Sequence, residues 1–326
     1  MGLKTKLFVF VFIIGIASVT GFVVLNVGFD SAEPDSSETR ISDWEDLDSI
    51  REQPDKSYIL TSDLDTESDG YDEVGSDWEP ITEFTGDLDG QGYSISGIVI
   101  DQHESVEPET TDGNEVEPVS RVDTSEAYIG ASVIGTNTGV IQNVSFTDIQ
   151  ISGDSKTAGV TVKNYGEIKN VRVTGSIEGT EFVGGITAHN DGVITHTVST
   201  ASISADRYVG GLVASNSSVV TYSYYNGSLE GQKTVGGIAG AYIDGDISQT
   251  YATGDIQLSS SSTTGGIVGI MTDSNSVDAS YHDISKSNTI GTTLTPSEMK
   301  GSENKLDGLN KIEWIFTEDQ YPELRE

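Results

Sequence analysis

Apolar residues recur through the middle of the chain in three columns with a period of 26 to 29 residues. Six segments supply them, each opening on a pair of small residues that begins at Ala131, Ala158, Gly184, Gly210, Gly236 or Gly265. The first column contains Val133, Val160, Ile186, Leu212, Ile238 and Ile267. The second contains Ile141, Ile168, Ile194, Val220, Ile247 and Val277, and the third Ile177, Ile203, Leu229 and Ile256.

The columns are eight or nine residues apart within a segment, as in the run Val160, Ile168, Ile177 and Ile186. That step fits a short strand plus a turn and carries no helical period. A strand this short cannot bury an apolar face alone, but coils stacked at about 4.8 Å place like residues over like and form one core. The pattern predicts an all-β, right-handed parallel β-helix with three strands in each coil of about 26 residues.

Two further repeats support this register. Asn137, Asn164, Asn190 and Asn216 hold one turn position in successive coils, where stacked carboxamides can hydrogen-bond along the axis. The paired glycines indicate either a tight backbone corner or a positive φ.

Several of these phrases resemble a known family. The segments Gly184–Ile186, Gly210–Val213, Gly236–Gly240 and Gly265–Gly269 resemble GLUG-motif repeats, and Tyr251–Ile256 resembles the phrase that follows them. The opening and closing segments of that family resemble Tyr58–Asp65, Trp78–Ile81, Phe84–Tyr93, Leu294–Met299, Trp314 and Tyr321–Leu324. Departures occur at Ala131–Ser132, Ala158–Gly159 and Ser217–Ser218. The resemblance covers residues 40–326 and implies an exported, pectate-lyase-like β-helix of surface and adhesin-like proteins, without agreed catalytic residues.

The amino terminus predicts export. Residues 7–29 carry no charge and form a stretch long enough to span a bilayer. Lys4 and Lys6 precede this stretch and acidic residues follow it, which predicts that the amino terminus stays in the cytoplasm. Residues 1–29 are therefore predicted to be a signal anchor that leaves the rest of the chain outside the cell. The alternative is a signal peptide that is cleaved, which would give a secreted protein.

The remaining segments are predicted from composition and capping patterns. Residues 30–41 are an expected acidic stalk, 42–290 the β-helix, and 291–326 a capping segment. Within the β-helix, 42–52 is an expected cap helix with Ser42 as N-cap and Glu45 completing a capping box. The stretch 101–127, with nine acids and one Arg, is predicted to be a loop insertion. A second short helix is expected from Pro296 to Lys300, capped by Thr295.

The charge balance restricts the classes of molecule that the protein is expected to bind. The chain has 52 Asp and Glu against 17 Lys and Arg, a net charge of −35. Such a surface repels phosphate backbones, so no nucleic-acid partner is expected. Because the acids are spread over the whole length, they indicate the solvating surface of a halophilic protein better than a divalent-cation binder or an acidic tail.

No catalytic, cofactor-binding or metal-ligating residue is assigned. The carboxylates Asp244, Asp246 and Asp255 are interpreted as solvated surface, and the columns of His189 and His196 are expected to face solvent. The cations Lys163, Lys169, Arg172 and Arg207 belong to the early coils, away from those carboxylates, so nothing assembles the combination that an enzyme acting on uronates needs. A weak Ca²⁺ site in the segment containing Asp63, Asp65, Asp69 and Asp72 stays open.

Three Asn-X-Ser sequons occur, at Asn143, Asn216 and Asn226. Asn143 and Asn226 are expected to be exposed glycan acceptors, whereas Asn216 belongs to the Asn column and is expected to be occluded. The function predicted from these features is that of a non-enzymatic surface protein, adhesin-like or binding an extracellular polysaccharide, a glycoprotein or a surface-layer protein. The alternative is a polysaccharide lyase or hydrolase.

The charge generates a prediction about salt. Dense like charges destabilise a compact state, and screening shortens their reach from about 30 Å at 0.01 M to about 3 Å at 1 M ionic strength. We expect the free energy of unfolding of residues 31–326 to rise steeply between dilute buffer and molar salt, equally in NaCl and KCl. Chemical denaturation across a salt series measures this. Full stability restored in dilute buffer by micromolar Ca²⁺ would instead indicate specific cation sites.

Overall fold

A computed structural model describes residues 38–102, 130–258, 263–271, 277–283, 290–300 and 305–325. The predicted span 7–29 lies outside these residues, as does the insertion 101–127 apart from Asp101 and Gln102, which end a strand. Within the described part of the chain, no helix combines the length and apolarity needed to cross a membrane.

The described residues form a succession of short strands interrupted by long, bent ones. In chain order the strands are β1 (Thr39–Ile41), β2 (Ser57–Leu60), β3 (Ile81–Phe84), β4 (Asp87–Asp89), β5 (Ser94–Ser96), β6 (Val99–Gln102), β7 (Ile134–Asn137), β8 (Val140–Gly153), β9 (Thr157–Ala158), β10 (Thr161–Asn164), β11 (Glu167–Glu178), β12 (Glu181–Gly184), β13 (Thr187–Asn190), β14 (Val193–Thr195), β15 (Val198–Ser199), β16 (Ser202–Ala205), β17 (Arg207–Gly210), β18 (Val213–Asn216), β19 (Val219–Gly231), β20 (Thr234–Gly236), β21 (Ala239–Tyr242), β22 (Asp246–Leu258), β23 (Thr263–Gly265), β24 (Val268–Met271), β25 (Val277–Asp278), β26 (Tyr281–His282), β27 (Thr292–Thr293), β28 (Trp314–Ile315) and β29 (Glu323–Leu324). The α-helices are α1 (Trp44–Asp48) and α2 (Pro296–Met299), with 3-10 turns at Ser49–Glu52 and Gly75–Asp77.

The strands stack into a parallel β-solenoid of about seven turns. One sheet runs from β3 to β24, a second from β9 to β23, and the third contains the long bent strands β8, β11, β19 and β22. The coils between β7 and β23 contribute to all three sheets, so the three strands predicted for each coil are found there. Ile168 pairs with Ile194, Ile194 with Val220, and Val220 with Ile247, so the predicted register of the second column is confirmed.

The three apolar columns form the core. All their members are buried except Val277, which is only half-buried. The structure adds apolar positions that the eight-to-nine-residue step does not reveal. The long strands carry inward-facing Val171 and Val173, and β12, β17 and β20 contribute Val183, Val209 and Val235.

The Asn column is an internal hydrogen-bonded ladder. The Nδ2 of Asn137 donates to Oδ1 of Asn164 (2.8 Å), Asn164 to Asn190 (2.9 Å), and Asn190 to Asn216 (2.7 Å). All four side chains are buried. In the register of the sheet Phe84 precedes the ladder and Tyr242 follows it. Each buried amide is satisfied by its neighbour, so the ladder fixes the stacking of adjacent coils.

The glycine pairs form tight corners and do not use positive φ. A Cβ on Gly210 would lie 1.8 Å from the carbonyl oxygen of Val213, and one on Gly236 would lie 1.9 Å from that of Ala239. Neither residue is in the left-handed region. The chain therefore needs glycine here because its own backbone passes too close for any side chain.

The termini of the solenoid differ in detail from the sequence expectation. The N-cap of α1 is Asp43, which accepts from the amide of Asp46 at 2.8 Å, so the prediction of Ser42 as cap is wrong by one residue. Residues 39–41, assigned to the stalk, instead form β1, which pairs with β2. Thr295 caps α2 in a capping box with Glu298, as predicted for Thr295.

The core register generates a stability prediction. Val220 is fully buried in the second column, so Val220→Asp places an unpaired charge in the core and should cost at least about 4 kcal/mol of unfolding free energy. Thr221→Asp, one residue later on the half-exposed side of the same strand, is the matched control and should change stability little. Denaturant titration in molar salt measures both, and equal stability of the two variants would contradict the register.

Candidate binding groove

The long strands bend sharply at one residue in each coil, and this residue is left-handed. These positions form a bend column in register, with φ between 45° and 54°, made of Asn143, Asn170, His196, Tyr222 and Gln249. Asn and His adopt this conformation more readily than most residues, whereas Tyr and Gln do so only where tertiary contacts hold them. Residues before and after the bend therefore face one concavity on the side of the solenoid.

A second column lies two residues after the bend. This outer column consists of Ser145, Arg172, Val198, Tyr224, Tyr251 and Tyr281. Its tyrosines stack, with ring centroids of Tyr224 and Tyr251 4.7 Å apart. The change from Ser and Arg to Tyr along the column divides it into a polar early part and an aromatic later part.

The carboxyl-terminal residues 305–325, here called the C-terminal strap, pack on the aromatic part. Trp314 lies 5.4 Å from Tyr251 between ring centroids, in a buried cluster with Leu306 and Leu309. Burial and the charge of the neighbouring Tyr224 raise the pKa of Tyr251 well above its usual value, and its hydroxyl donates to the carbonyl of Pro322 at 2.6 Å. The strap thus covers the later coils of this face.

The early coils of the same face are open and form a cavity of about 840 Å³, the lateral groove. One wall comes from the turn after β4 and the other from the end of the strap. The lining residues are Asp89, Gln91, Gly92, Asn143–Ser145, Lys169–Arg172, His196, Val198, Tyr224 and Glu323–Arg325.

A chain of carboxamides orders the floor of the groove. The Nδ2 of Asn170 donates to Oδ1 of Asn143 at 2.9 Å, and the Nδ2 of Asn143 donates to Oδ1 of Asp89 at 3.1 Å. The same oxygen of Asp89 accepts from the backbone amide of Gln91 at 2.9 Å. Asp89 is therefore held by its own side of the groove and is not paired with a cation.

Two cations stand on the open part of the groove. Lys169 and Arg172 are exposed on opposite sides of the bend at Asn170. Neither makes an ion pair or a side-chain hydrogen bond with any residue that the structure describes. By contrast, the guanidinium of Arg325 donates to the carbonyl of Ile312 at 2.9 Å. Asp89, which the sequence analysis did not single out, lines the same groove, whereas Asp244, Asp246 and Asp255 do not.

The two histidines are half-buried, and the expectation that their columns face solvent is wrong. The Nε2 of His196 lies 3.0 Å from a carboxylate oxygen of Glu313 in the strap. His189 packs against Phe182, with ring centroids 4.8 Å apart. Burial lowers the pKa of His189 to about 4, and the nearby Lys156 acts in the same direction.

The other carboxylates considered in the sequence analysis are exposed or bond within their own turns. Asp244, Asp246 and Asp255 are all exposed, and Asp244 accepts from the amide of Gly245 at 2.8 Å. The backbone amide of Glu67 lowers the pKa of Asp65, whose carboxylate it caps. Across the described ranges, no three His, Asp or Glu side chains converge on a point where a metal ion could sit.

The sequons occupy three different environments. Asn226 is exposed, as predicted, and Asn216 is fully buried in the Asn ladder, as predicted. Asn143 is half-buried, contrary to expectation, because its amide nitrogen is bonded to Asp89. Lys163 and Arg207 lie on the other two sheets, away from the groove, and Arg207 pairs with Glu181 at 3.5 Å.

Sequence reasoning missed the contribution of Asp89 and of the strap. Arg325 and Glu323 reach the groove only because the strap folds back over coils that lie more than a hundred residues earlier in the chain. One feature of the sequence could have indicated the bend that shapes the groove. It is the polar column of Asn143, Asn170 and His196, which lies between two apolar positions in each coil.

Comparison with known proteins supports the fold. No protein-family model matches the chain, so the GLUG resemblance stays a prediction. A 98-residue stretch, 30% of the chain, is 28% identical to Halomucin of Haloquadratum walsbyi, and 136 residues, 39% of the chain, are 34% identical to the "Putative Gly-rich membrane protein" of Evansella cellulosilytica. These stretches span only 1% and 13% of the two relatives' own lengths.

Two solved structures are similar to the solenoid. The crystal structure of a "putative immunoglobulin A1 protease" from Bacteroides ovatus superposes with a TM-score of 0.63 over 89% of this chain and 93% of that one, at 18% identity. An "IgA1 Protease" structure gives a TM-score of 0.52 over 78% of this chain and 20% of that one, also at 18% identity. At this identity the likeness establishes a β-solenoid fold.

The environment of His189 generates a pH prediction. Its pKa is depressed from 6.5 to about 4, so its contribution to stability is complete above pH 6.5 and is lost as the pH falls towards 4. Because His189 is partly solvated, we expect a loss of about 1–3 kcal/mol between pH 7 and 4.5. His189→Ser, which copies Ser215 in the next coil, should remove this part of the slope. Parallel pH profiles of unfolding free energy would contradict the assignment.

Proposed function

We propose that the protein is a non-enzymatic, adhesin-like binding protein of the cell surface and that the lateral groove is its ligand-binding site. One observation carries the proposal: the early coils leave a cavity of about 840 Å³ on a face whose later coils are covered, and two of its cations have no ion-pair partner in the described part of the chain. This volume lies within the usual range of ligand sites. Because the groove is built on stacked strands, its backbone and the bonded carboxamides of Asn143 and Asn170 are in place before any ligand arrives.

Placement outside the cell is part of the proposal. The uncharged residues 7–29 support an anchor or a signal, and the relatives' printed names, Halomucin and a membrane protein, support the same placement. The ligand classes that follow are an extracellular polysaccharide, a glycoprotein or a surface-layer protein. The acidic surface supports a halophilic setting, in which high salt screens the net charge.

A polysaccharide lyase or hydrolase is the second candidate. It is favoured by one observation, that Asp89, Lys169 and Arg172 line the same cavity. Oδ1 of Asp89 already accepts hydrogen bonds from Gln91 and Asn143, and Oδ2 accepts from Gln142 at 3.4 Å, which suits a positioning role better than acid or base chemistry.

Groove blocking tests the proposed function. Ser145 lies in the groove, so the indole of Ser145→Trp should fill part of it. We expect the affinity of the detergent-solubilised full chain for isolated cell envelopes, measured by co-sedimentation, to fall by at least about tenfold, which is about 1.4 kcal/mol. Ser202→Trp, in the second concavity of about 400 Å³ that β6, β8, β11, β16 and β19 line, is the matched control and should bind normally. Thermal unfolding in molar salt checks that both variants fold.

Two outcomes would overturn the proposal. Unchanged sedimentation of Ser145→Trp would show that the groove is not the binding site. Release of oligosaccharides from acidic or neutral polysaccharides by the wild-type chain, abolished by Ser145→Trp, would favour the enzyme instead.

A further inference from the structure

The lateral groove continues a face that already holds a polypeptide. The C-terminal strap lies across the bend column and the outer column in the later coils, and the groove is formed by the same two columns in the earlier coils. The strand register continues without a break between the two parts, since Lys169 pairs with Thr195 and Arg172 with Val198. The surface geometry that accepts the strap therefore extends into the groove.

Besides the buried cluster around Trp314, the face binds main-chain groups of the strap. The carboxamide of Gln249 in the bend column donates to the carbonyl of Gly308 and accepts from the amide of Asn310, both at 2.6 Å. In the outer column, the hydroxyl of Tyr281 accepts from the amide of Gly308 at 2.9 Å. Contacts of this kind recognise a peptide backbone and depend little on the side chains it carries.

The groove presents the same functional group. Asn143 and Asn170 occupy the bend column where Gln249 stands in the strap-covered part, and each carries a carboxamide with two N–H donors. One donor of each is used in the chain that leads to Asp89. The second donor of each carboxamide is then available to a main-chain carbonyl of a bound segment.

Charge determines which segment fits. At the boundary of the groove the strap places the carboxylate of Glu313 against His196, 3.0 Å away. In the preceding coil, Asn170 and Arg172 occupy the positions of His196 and Val198, and Lys169 lies before the bend where Thr195 lies in the later coil. Cations without protein partners in a concave site attract carboxylates, and Arg binds a carboxylate in a bidentate manner.

We propose that the lateral groove binds an extended, acidic peptide segment of a partner protein, held by Lys169 and Arg172 through its carboxylates and by Asn143 and Asn170 through its backbone. The inference rests on the proposed function, because it names the ligand class of that groove. It selects a protein partner over a polysaccharide, since the covered half of the face holds a polypeptide through main-chain contacts.

The test uses the detergent-solubilised full chain in 1 M NaCl, at which the reach of the net charge is about 3 Å. The probe is a fluorescent ten-residue peptide of alternating Glu and Ser, measured by anisotropy. A Gln-and-Ser peptide of equal length removes the charge, and a backbone thioamide form of the acidic peptide keeps the charge but weakens the main-chain acceptors that Asn143 and Asn170 would bind. We expect both to bind at least about tenfold more weakly than the acidic peptide.

Variants assign the binding to the groove. Lys169→Gln combined with Arg172→Gln should weaken binding of the acidic peptide by at least about tenfold. Arg40→Gln combined with Lys233→Gln, at exposed positions outside the groove, makes the same change in net charge and should have no effect. Asn170→Gly keeps the left-handed backbone, removes the carboxamide, and should also weaken binding.

Three results would overturn the inference. They are equal binding of the acidic peptide and its thioamide form, equal binding by the two double variants, or tighter groove-dependent binding of an acidic oligosaccharide of the same charge. Each is distinguishable from failure of the proposed function. If Ser145→Trp abolishes envelope binding while the acidic peptide neither binds nor competes, the groove is a binding site for another ligand class and only the peptide inference fails.

Discussion

The structure depends on one constraint, the hydrogen-bonded stacking of each coil on the next. A strand of four residues such as β10 or β13 has too little apolar area to be stable alone. Its side chains become buried only when neighbouring coils place like residues directly above and below them. Every position is thereby tied to a column, and a substitution is constrained by its axial neighbours more than by its neighbours along the chain.

Column geometry also explains how polar groups can be internal. An isolated Asn in an apolar core would leave donors and acceptors unpaired at considerable cost. In the ladder from Asn137 to Asn216, each amide donates to the next coil, so the column is satisfied along its length. The ladder stops where aromatic side chains, Phe84 and Tyr242, take over the position. The interior can therefore change chemistry along the axis while the backbone repeats.

The sequence predicts features that repeat and fails on those that occur once. Columns such as Ile168, Ile194 and Val220 are visible because the same physical requirement acts on every coil. The groove, by contrast, is formed by contacts that occur once and therefore leave no repeat in the sequence. Glu313 meets His196 across 117 residues, and Arg325 reaches the coil of Lys169 only through the fold of the strap. The left-handed backbone at Tyr222 and Gln249 is likewise set by tertiary contacts, since neither residue type favours it.

The balance between long-range and short-range charge connects the acidic surface to the groove. In dilute buffer the net charge of −35 acts over tens of ångströms and opposes both folding and the approach of any anion. At high ionic strength the distant acids are screened, whereas groups in contact with one another are screened least. Inside the groove the cations Lys169, Arg172 and Arg325 then outnumber the carboxylates of Asp89 and Glu323, so the local charge is positive. The same salt that stabilises the solenoid therefore lets the lining of the groove determine what an otherwise repulsive protein can bind.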